Sequence, residues 1–126
     1  MTLFRLGSFR LHSGGASDWK IDMDGLDDED IAAIAMLGAR MVGEFGDVIG
    51  IARGGLRLAR AMLEYIKLDS PTILIVDDVL TTGRSMQVAL DSPKIPIGTK
   101  VVGLVGFARG PCPPWVKAVF TYNGGD

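Results

Sequence analysis

Only one cysteine, Cys112, and one histidine, His12, occur in the 126 residues. A single thiol closes no internal disulfide and excludes zinc sites built from several thiolates. Neither sign of charge dominates: 13 Lys and Arg against 15 Asp and Glu leave a formal −2. A protein that neutralises many backbone phosphates carries a basic excess, so no nucleic-acid partner is expected. Long apolar runs are missing as well. Gly, Asp or Arg interrupts each of them well before the roughly 18 residues of a membrane span, so no membrane partner is expected either. The stretch Met1 to Leu11 lacks the apolar core and small-residue cleavage site of a secretory signal, and the expected location is cytoplasmic.

What is present is a chain 48% hydrophobic with 17 glycines. Its length suits one domain over residues 1–126. Such a domain buries about two-thirds of the surface its unfolded chain exposes, and needs no disulfide or metal to hold it.

Strand-like and helix-like segments alternate. Phe4, Leu6, Phe9 and Leu11 predict extended structure with a turn near Gly7, and Ser13 to Ser17 is a turn by composition. Trp19 to Asp24 alternates as a half-buried strand. Asp27-Asp28-Glu29-Asp30 opens a helix, where acids cap free N–H groups and suit the dipole. Behind them Ile31, Ile34, Ala35, Met41, Val42 and Phe45 form one apolar face, and Gly43 and Gly46 suit its end. A solvated helix start explains this acidic run better than a cation site does. Val48 to Ala52 reads as a strand buried on both faces. The next helix turns Leu56, Ala59, Leu63 and Ile66 inward, with Arg57, Arg60 and Glu64 outward. Thr72 to Val76 is another buried strand, a short helix covers Gly83 to Leu90, and Lys100–Phe107 and Val116–Tyr122 add two strands. Pro111-Cys112-Pro113-Pro114 between them is a loop. The pattern predicts an α/β fold with a mostly parallel sheet and right-handed crossovers. Met36, Met41, Met62 and Met86 read as core filler.

The chemistry concentrates in Ile73-Leu74-Ile75-Val76-Asp77-Asp78-Val79-Leu80-Thr81-Thr82-Gly83-Arg84-Ser85. A buried strand ends in two adjacent carboxylates, then a hydroxyl- and glycine-rich loop opens a helix. Ligands of open α/β sheets sit at the carboxyl ends of strands. Thr81, Thr82, Gly83, Arg84 and Ser85 offer backbone N–H groups, hydroxyls and a helix start, which together make a phosphate cradle. Acids would repel the phosphate itself, so Asp77 and Asp78 face a sugar diol or an oxygen-ligated magnesium ion. A P-loop and a dinucleotide fingerprint are excluded, because neither spacing occurs.

This segment resembles the phosphoribosyl-pyrophosphate-binding signature of the type I phosphoribosyltransferases. Gly50-Ile51-Ala52-Arg53-Gly54-Gly55-Leu56 is similar to the family's pyrophosphate loop. Phe9 to Gly14, with Ser17, Trp19 and Asp22, resembles the N-terminal motif of the orotate phosphoribosyltransferase branch. The resemblance implies a core over residues 26–126 with a sheet of about four to five strands, under an N-terminal hood over 1–25. It implies a magnesium-dependent transfer of the phosphoribosyl group to a pyrimidine-like base, orotate first, by a homodimer. Asp77 and Asp78 would contact the ribose hydroxyls or waters on magnesium and stabilise positive charge developing on the ribose ring. Thr81 to Ser85 would hold the 5′-phosphate, and Ala52, Arg53, Gly54 and Gly55 the pyrophosphate. His12, at a position where the orotate branch often carries a basic residue, Trp19 and Arg109 are the candidates for the base. His12 and Trp19 each have a plainer alternative, a surface histidine and a packed ring, while Arg109 follows the fourth strand at the sheet's ligand edge, where it would line the pocket. Cys112, flanked by prolines and with no histidine in an adjacent motif, is not expected to act as a nucleophile.

The sequence departs from the family in one place. There, a further strand and a mobile basic loop lie between the second helix and the diacid strand. Here only Lys67-Leu68-Asp69-Ser70-Pro71-Thr72 intervene, too few for a strand and a lid. Either a partner chain covers the site, or transfer is slow, or the protein is a non-catalytic module that binds phosphoribosyl pyrophosphate or a nucleotide.

Overall fold

The computed structural model describes residues 4–10, 16–21 and 25–122, with side chains from residue 25 onward. Strands β1 (Phe4–Arg10) and β2 (Ala16–Ile21) form an antiparallel two-stranded sheet. Phe4 faces Ile21 and Arg10 faces Ala16, with a register shift between Leu6 and Phe9. The turn expected at Gly7 is therefore an irregularity inside one strand. Ala16 and Ser17, assigned to a turn from composition, belong to β2. Leu11 to Gly15 and Asp22 to Asp24 lie outside the described residues.

Helix α1 (Asp28–Val42) starts on a reciprocal cap. The Asp27 carboxylate accepts from the Asp30 N–H at 2.8 Å, and the Asp30 carboxylate accepts from the Asp27 N–H at 3.1 Å. Two orphan N–H groups are satisfied, which is the structural use of the acidic run. Ile31, Ile34, Ala35 and Gly38 are buried. At Gly38 a Cβ would stand 2.6 Å from Leu104 Cδ2, so the bare backbone lets the helix press onto the sheet. Met36 and Met41, expected inside, are each 43% exposed. They fall off the narrow stripe that faces the sheet. Phe45 is buried as expected, but beyond the end of the helix rather than on its face.

The core continues as β3 (Asp47–Gly50), α2 (Leu56–Met62), β4 (Ile73–Leu80), α3 (Arg84–Leu90), β5 (Val101–Ala108) and β6 (Val116–Thr121). β3 to β6 form one parallel sheet in chain order. Helix α2 tightens into a single 3-10 turn at Leu63–Tyr65. Leu58, Ala59 and Met62 point inward, while Leu63, expected to be buried, is 54% exposed. Among the described residues no helix is long and apolar enough to cross a membrane.

Two apolar clusters cover the sheet. One joins α1 and α2 to Leu74, Val76 and Leu104; the other joins α3 to Ile75 and Val105. Successive strand residues point to opposite faces, so α2 and α3 cover opposite faces. Yet β3, β4 and β5 advance in one direction, and two right-handed crossovers in that direction would place both helices on one face. The β5–β6 connection, with Cys112 and Trp115, packs on the α3 face. The α2 crossover therefore has the opposite hand to the other two, which corrects the expectation of uniform right-handedness.

Candidate active site

The two acids lie where the strand alternation slips. Leu74, Val76 and Val79 belong to one face of β4, and Ile75 and Leu80 to the other. β5 slips in step, with Leu104 and Phe107 on the first face and Val105 and Ala108 on the second. Because both strands slip together, the pairing of Asp77 with Val105 and Val79 with Phe107 survives. Asp77 is 8% exposed, and its Oδ1 accepts from the Asp78 N–H at 2.8 Å. Asp78 is half-buried, and its Oδ1 accepts from the Val79 N–H at 2.8 Å. Burial first, and then the neighbouring Asp78 carboxylate, pushes Asp77 up to about 7.

The loop after β3 closes against this pair. Gly55 N–H donates to Ile51 O at 2.9 Å, and Ile51 N–H donates to Val76 O at 2.8 Å, so the turn is tied to β4 just before the acids. A Cβ on Gly55 would stand 2.7 Å from Val76 O and 2.9 Å from Asp77 Cα. At Gly54 the place of a Cβ is taken by the Asp78 carboxylate. Ala52, Arg53 and Gly54 are exposed, and the Ala52–Arg53 peptide is cis.

The second loop leaves the same strand end. Gly83 sits at φ 83, in the left-handed region that glycine enters without steric cost, and turns the chain into α3. Thr82, Arg84 and Ser85 are exposed, and Thr81 and Gly83 half-buried. One expected donor is already engaged, since the Arg84 N–H donates to Thr82 Oγ1 at 3.2 Å. The Thr82 hydroxyl keeps its own proton to donate. Arg109 N–H donates to Leu80 O at 3.0 Å, which brings Arg109 to the residue before Thr81. The Pro111–Pro114 loop backs onto the cradle, with Pro113 Cγ 3.8 Å from the Gly83 Cβ position. Burial raises the Cys112 thiol above its ordinary value, which lowers its thiolate fraction.

Of the sequence candidates, Ala52 to Gly55, Asp77, Asp78, Thr81 to Ser85 and Arg109 thus gather at the carboxyl ends of β3, β4 and β5. His12 lies outside the described residues, as does the side chain of Trp19, which stands opposite Leu6 on β2. Sequence reasoning missed the contact between Gly54 and Asp78, and also the half-buried Arg57. Expected to point outward, Arg57 donates to Leu26 O at 3.1 Å and pairs with Asp28 at 3.3 Å, tying α2 to the start of α1.

Among the described residues no three His, Cys, Asp or Glu side chains come together as a metal cage. The adjacent pair suits magnesium, which keeps several waters and takes one or two carboxylates plus substrate oxygens. The connection from α2 to β4 is a clasp. Lys67 N–H donates to Phe45 O at 2.9 Å, Ser70 N–H to Lys67 O at 2.9 Å, and Gly46 N–H to Thr72 O at 2.8 Å. As the sequence predicts, it contains neither a strand nor a loop able to reach the site.

No family model matches the sequence, and no curated protein matches it. Solved structures do. The orotate phosphoribosyltransferase of Aeropyrum pernix is 25% identical with a TM-score of 0.74, over 94% of this chain and 88% of that one. The Mycobacterium tuberculosis orotate phosphoribosyltransferase, in complex with inorganic phosphate, is 18% identical with a TM-score of 0.67, over 92% and 86%. The Francisella tularensis enzyme is 19% identical with a TM-score of 0.62, over 94% and 80%. The chain has the type I phosphoribosyltransferase fold, in a shortened form similar to the orotate phosphoribosyltransferases.

Proposed function

We propose that the protein binds phosphoribosyl pyrophosphate with magnesium and transfers its phosphoribosyl group to a ring nitrogen of a pyrimidine-like base, orotate being the first to test. The observation that carries this reading is the closure of the Arg53–Gly55 loop on the Asp77–Asp78 pair, beside the Thr81–Ser85 loop. One substrate has a pyrophosphate, a ribose diol and a 5′-phosphate to meet these three parts in turn. The base nitrogen attacks C1 of the ribose, the bond from C1 to the pyrophosphate oxygen breaks, and pyrophosphate leaves with the electron pair. Asp77 and Asp78 hold the ribose hydroxyls or magnesium-bound water, and their charge stabilises the cationic ring of the transition state. Bound magnesium supplies neutralisation of the phosphate charge. Arg53 contributes a guanidinium to the departing pyrophosphate. Thr81, Thr82, Gly83, Arg84 and Ser85 receive the 5′-phosphate, and Arg109, beside them, is the described candidate for the base.

The clasped 67–72 connection favours a second reading, a module that binds this ligand without turnover, because no segment there excludes water. Calorimetry with magnesium and phosphoribosyl pyrophosphate, followed by assays with orotate, uracil and purine bases, separates the two. Binding with pyrophosphate release on one base supports transfer; binding with no release on any base supports the module. Unchanged binding in Asp77→Asn/Asp78→Asn overturns the site assignment.

A further inference from the structure

The two glycines of the 53–55 loop differ in what fills the space beside them. Around Gly55 the nearest atoms are backbone: Val76 O, Ile51 O and Asp77 Cα. Backbone cannot swing aside, so Gly55 is required by the fold itself. Around Gly54 all three nearest atoms belong to the Asp78 carboxyl group, and Gly54 is exposed on its other side. The Asp78 carboxylate is thus fixed at two points. Its Oδ1 takes the Val79 N–H at 2.8 Å, and its Oδ2 rests over the bare Cα of Gly54. A methyl group at position 54 would meet a side chain that can rotate, at the expense of that hydrogen bond.

We infer that Gly54 is a positioning residue for Asp78: the absence of its side chain sets the spacing between the acid on β4 and the loop that receives the pyrophosphate. The inference rests on the site reading above and adds a requirement to it. The pyrophosphate loop and the carboxylate act as one rigid unit, so disturbing the seat at position 54 weakens recognition of a ligand spanning both. Recognition of the 5′-phosphate by Thr81 to Ser85 is left alone.

A double-mutant cycle tests this. Magnesium–phosphoribosyl pyrophosphate and methyl phosphate are titrated calorimetrically into wild type, Gly54→Ala, Asp78→Ala and the double variant, with thermal midpoints recorded for each. Gly54→Ala is expected to bind phosphoribosyl pyrophosphate about tenfold more weakly, and to lose nothing further once Asp78 is alanine. Its affinity for methyl phosphate, which has no diol for Asp78 to hold, stays at the wild-type value. If Gly54→Ala lowers the midpoint, Asp78→Ala in the same chain restores it by making room. Full additivity of the two losses, or a Gly54→Ala variant that binds phosphoribosyl pyrophosphate as wild type does, overturns the inference while leaving the site reading intact. Failure of the wild type to bind phosphoribosyl pyrophosphate removes the site reading itself, and the inference with it.

Discussion

At the scale of single residues, the decisive pair is Asp77 and Asp78, whose surroundings differ although they are neighbours. Asp77 is buried within β4 with its carboxyl raised to about 7, whereas Asp78 is half-buried against the Gly54 loop. A carboxyl that ionises at 3.8 in the unfolded chain and near 7 in the folded one favours folding while protonated. Its contribution is full below about pH 4 and is lost as the pH rises through 7. Urea unfolding at pH 5 and pH 8 should therefore show wild type losing stability across that interval. Asp77→Asn, which keeps an acceptor for the Asp78 N–H, should lose much less. An equal loss in both proteins would show that Asp77 is ionised throughout. The adjacency of these acids was legible in the sequence, because two carboxylates after a wholly apolar strand have no packing role. Their difference was not. It depends on β4 and β5 slipping together and on a loop far away in the chain, and local sequence carries neither.

At the scale of elements, the sequence marked segments more surely than faces. The caps of α1 at Asp27 and Gly43 and the strand at Ile73 were readable, because capping and apolar runs are local chemistry. The inward side of α2 was misjudged at Leu63, where the helix tightens into a 3-10 turn and the 3.6-residue period no longer applies. The hand of the α2 crossover was equally hidden. An outer strand after α2 would let the chain move outward past β3 with the usual hand and then return to β4. Removing that strand leaves the helix on the same face with the opposite hand. The clasp that replaces it is held by Gly46, whose N–H donates to Thr72 O and whose missing Cβ leaves room for Ser70 O. Gly46→Ala is expected to destabilise the protein by about 1–3 kcal/mol, as overpacking against backbone does, without altering ribose 5-phosphate affinity. Urea midpoints and calorimetry measure the two effects. A neutral substitution would mean that the 67–72 connection is not tightly held.

At the scale of the whole molecule, a well-packed sheet is combined with a short, clasped α2–β4 connection. Two apolar clusters on opposite faces hold the sheet, and the loops after β3, β4 and β5 leave its carboxyl ends. With the α2–β4 connection clasped, no conformational step is expected of it when ligand binds. Where a loop must close over bound substrate, the observed binding rate saturates as closure becomes limiting, or a second phase independent of ligand concentration follows the first. Here the carboxylate pair is braced by Gly54 and Gly55, the cradle is turned by Gly83, and the clasp is pinned to Phe45 and Gly46. None of these needs to move for ligand to enter. Stopped-flow mixing with magnesium and phosphoribosyl pyrophosphate should give one exponential whose rate rises linearly with ligand up to the limit of the instrument. A slow, concentration-independent phase would show that another part of the chain, or a second copy of it, closes over the site. In that case the missing lid has been replaced rather than lost, and transfer at an ordinary enzymatic rate becomes the expectation.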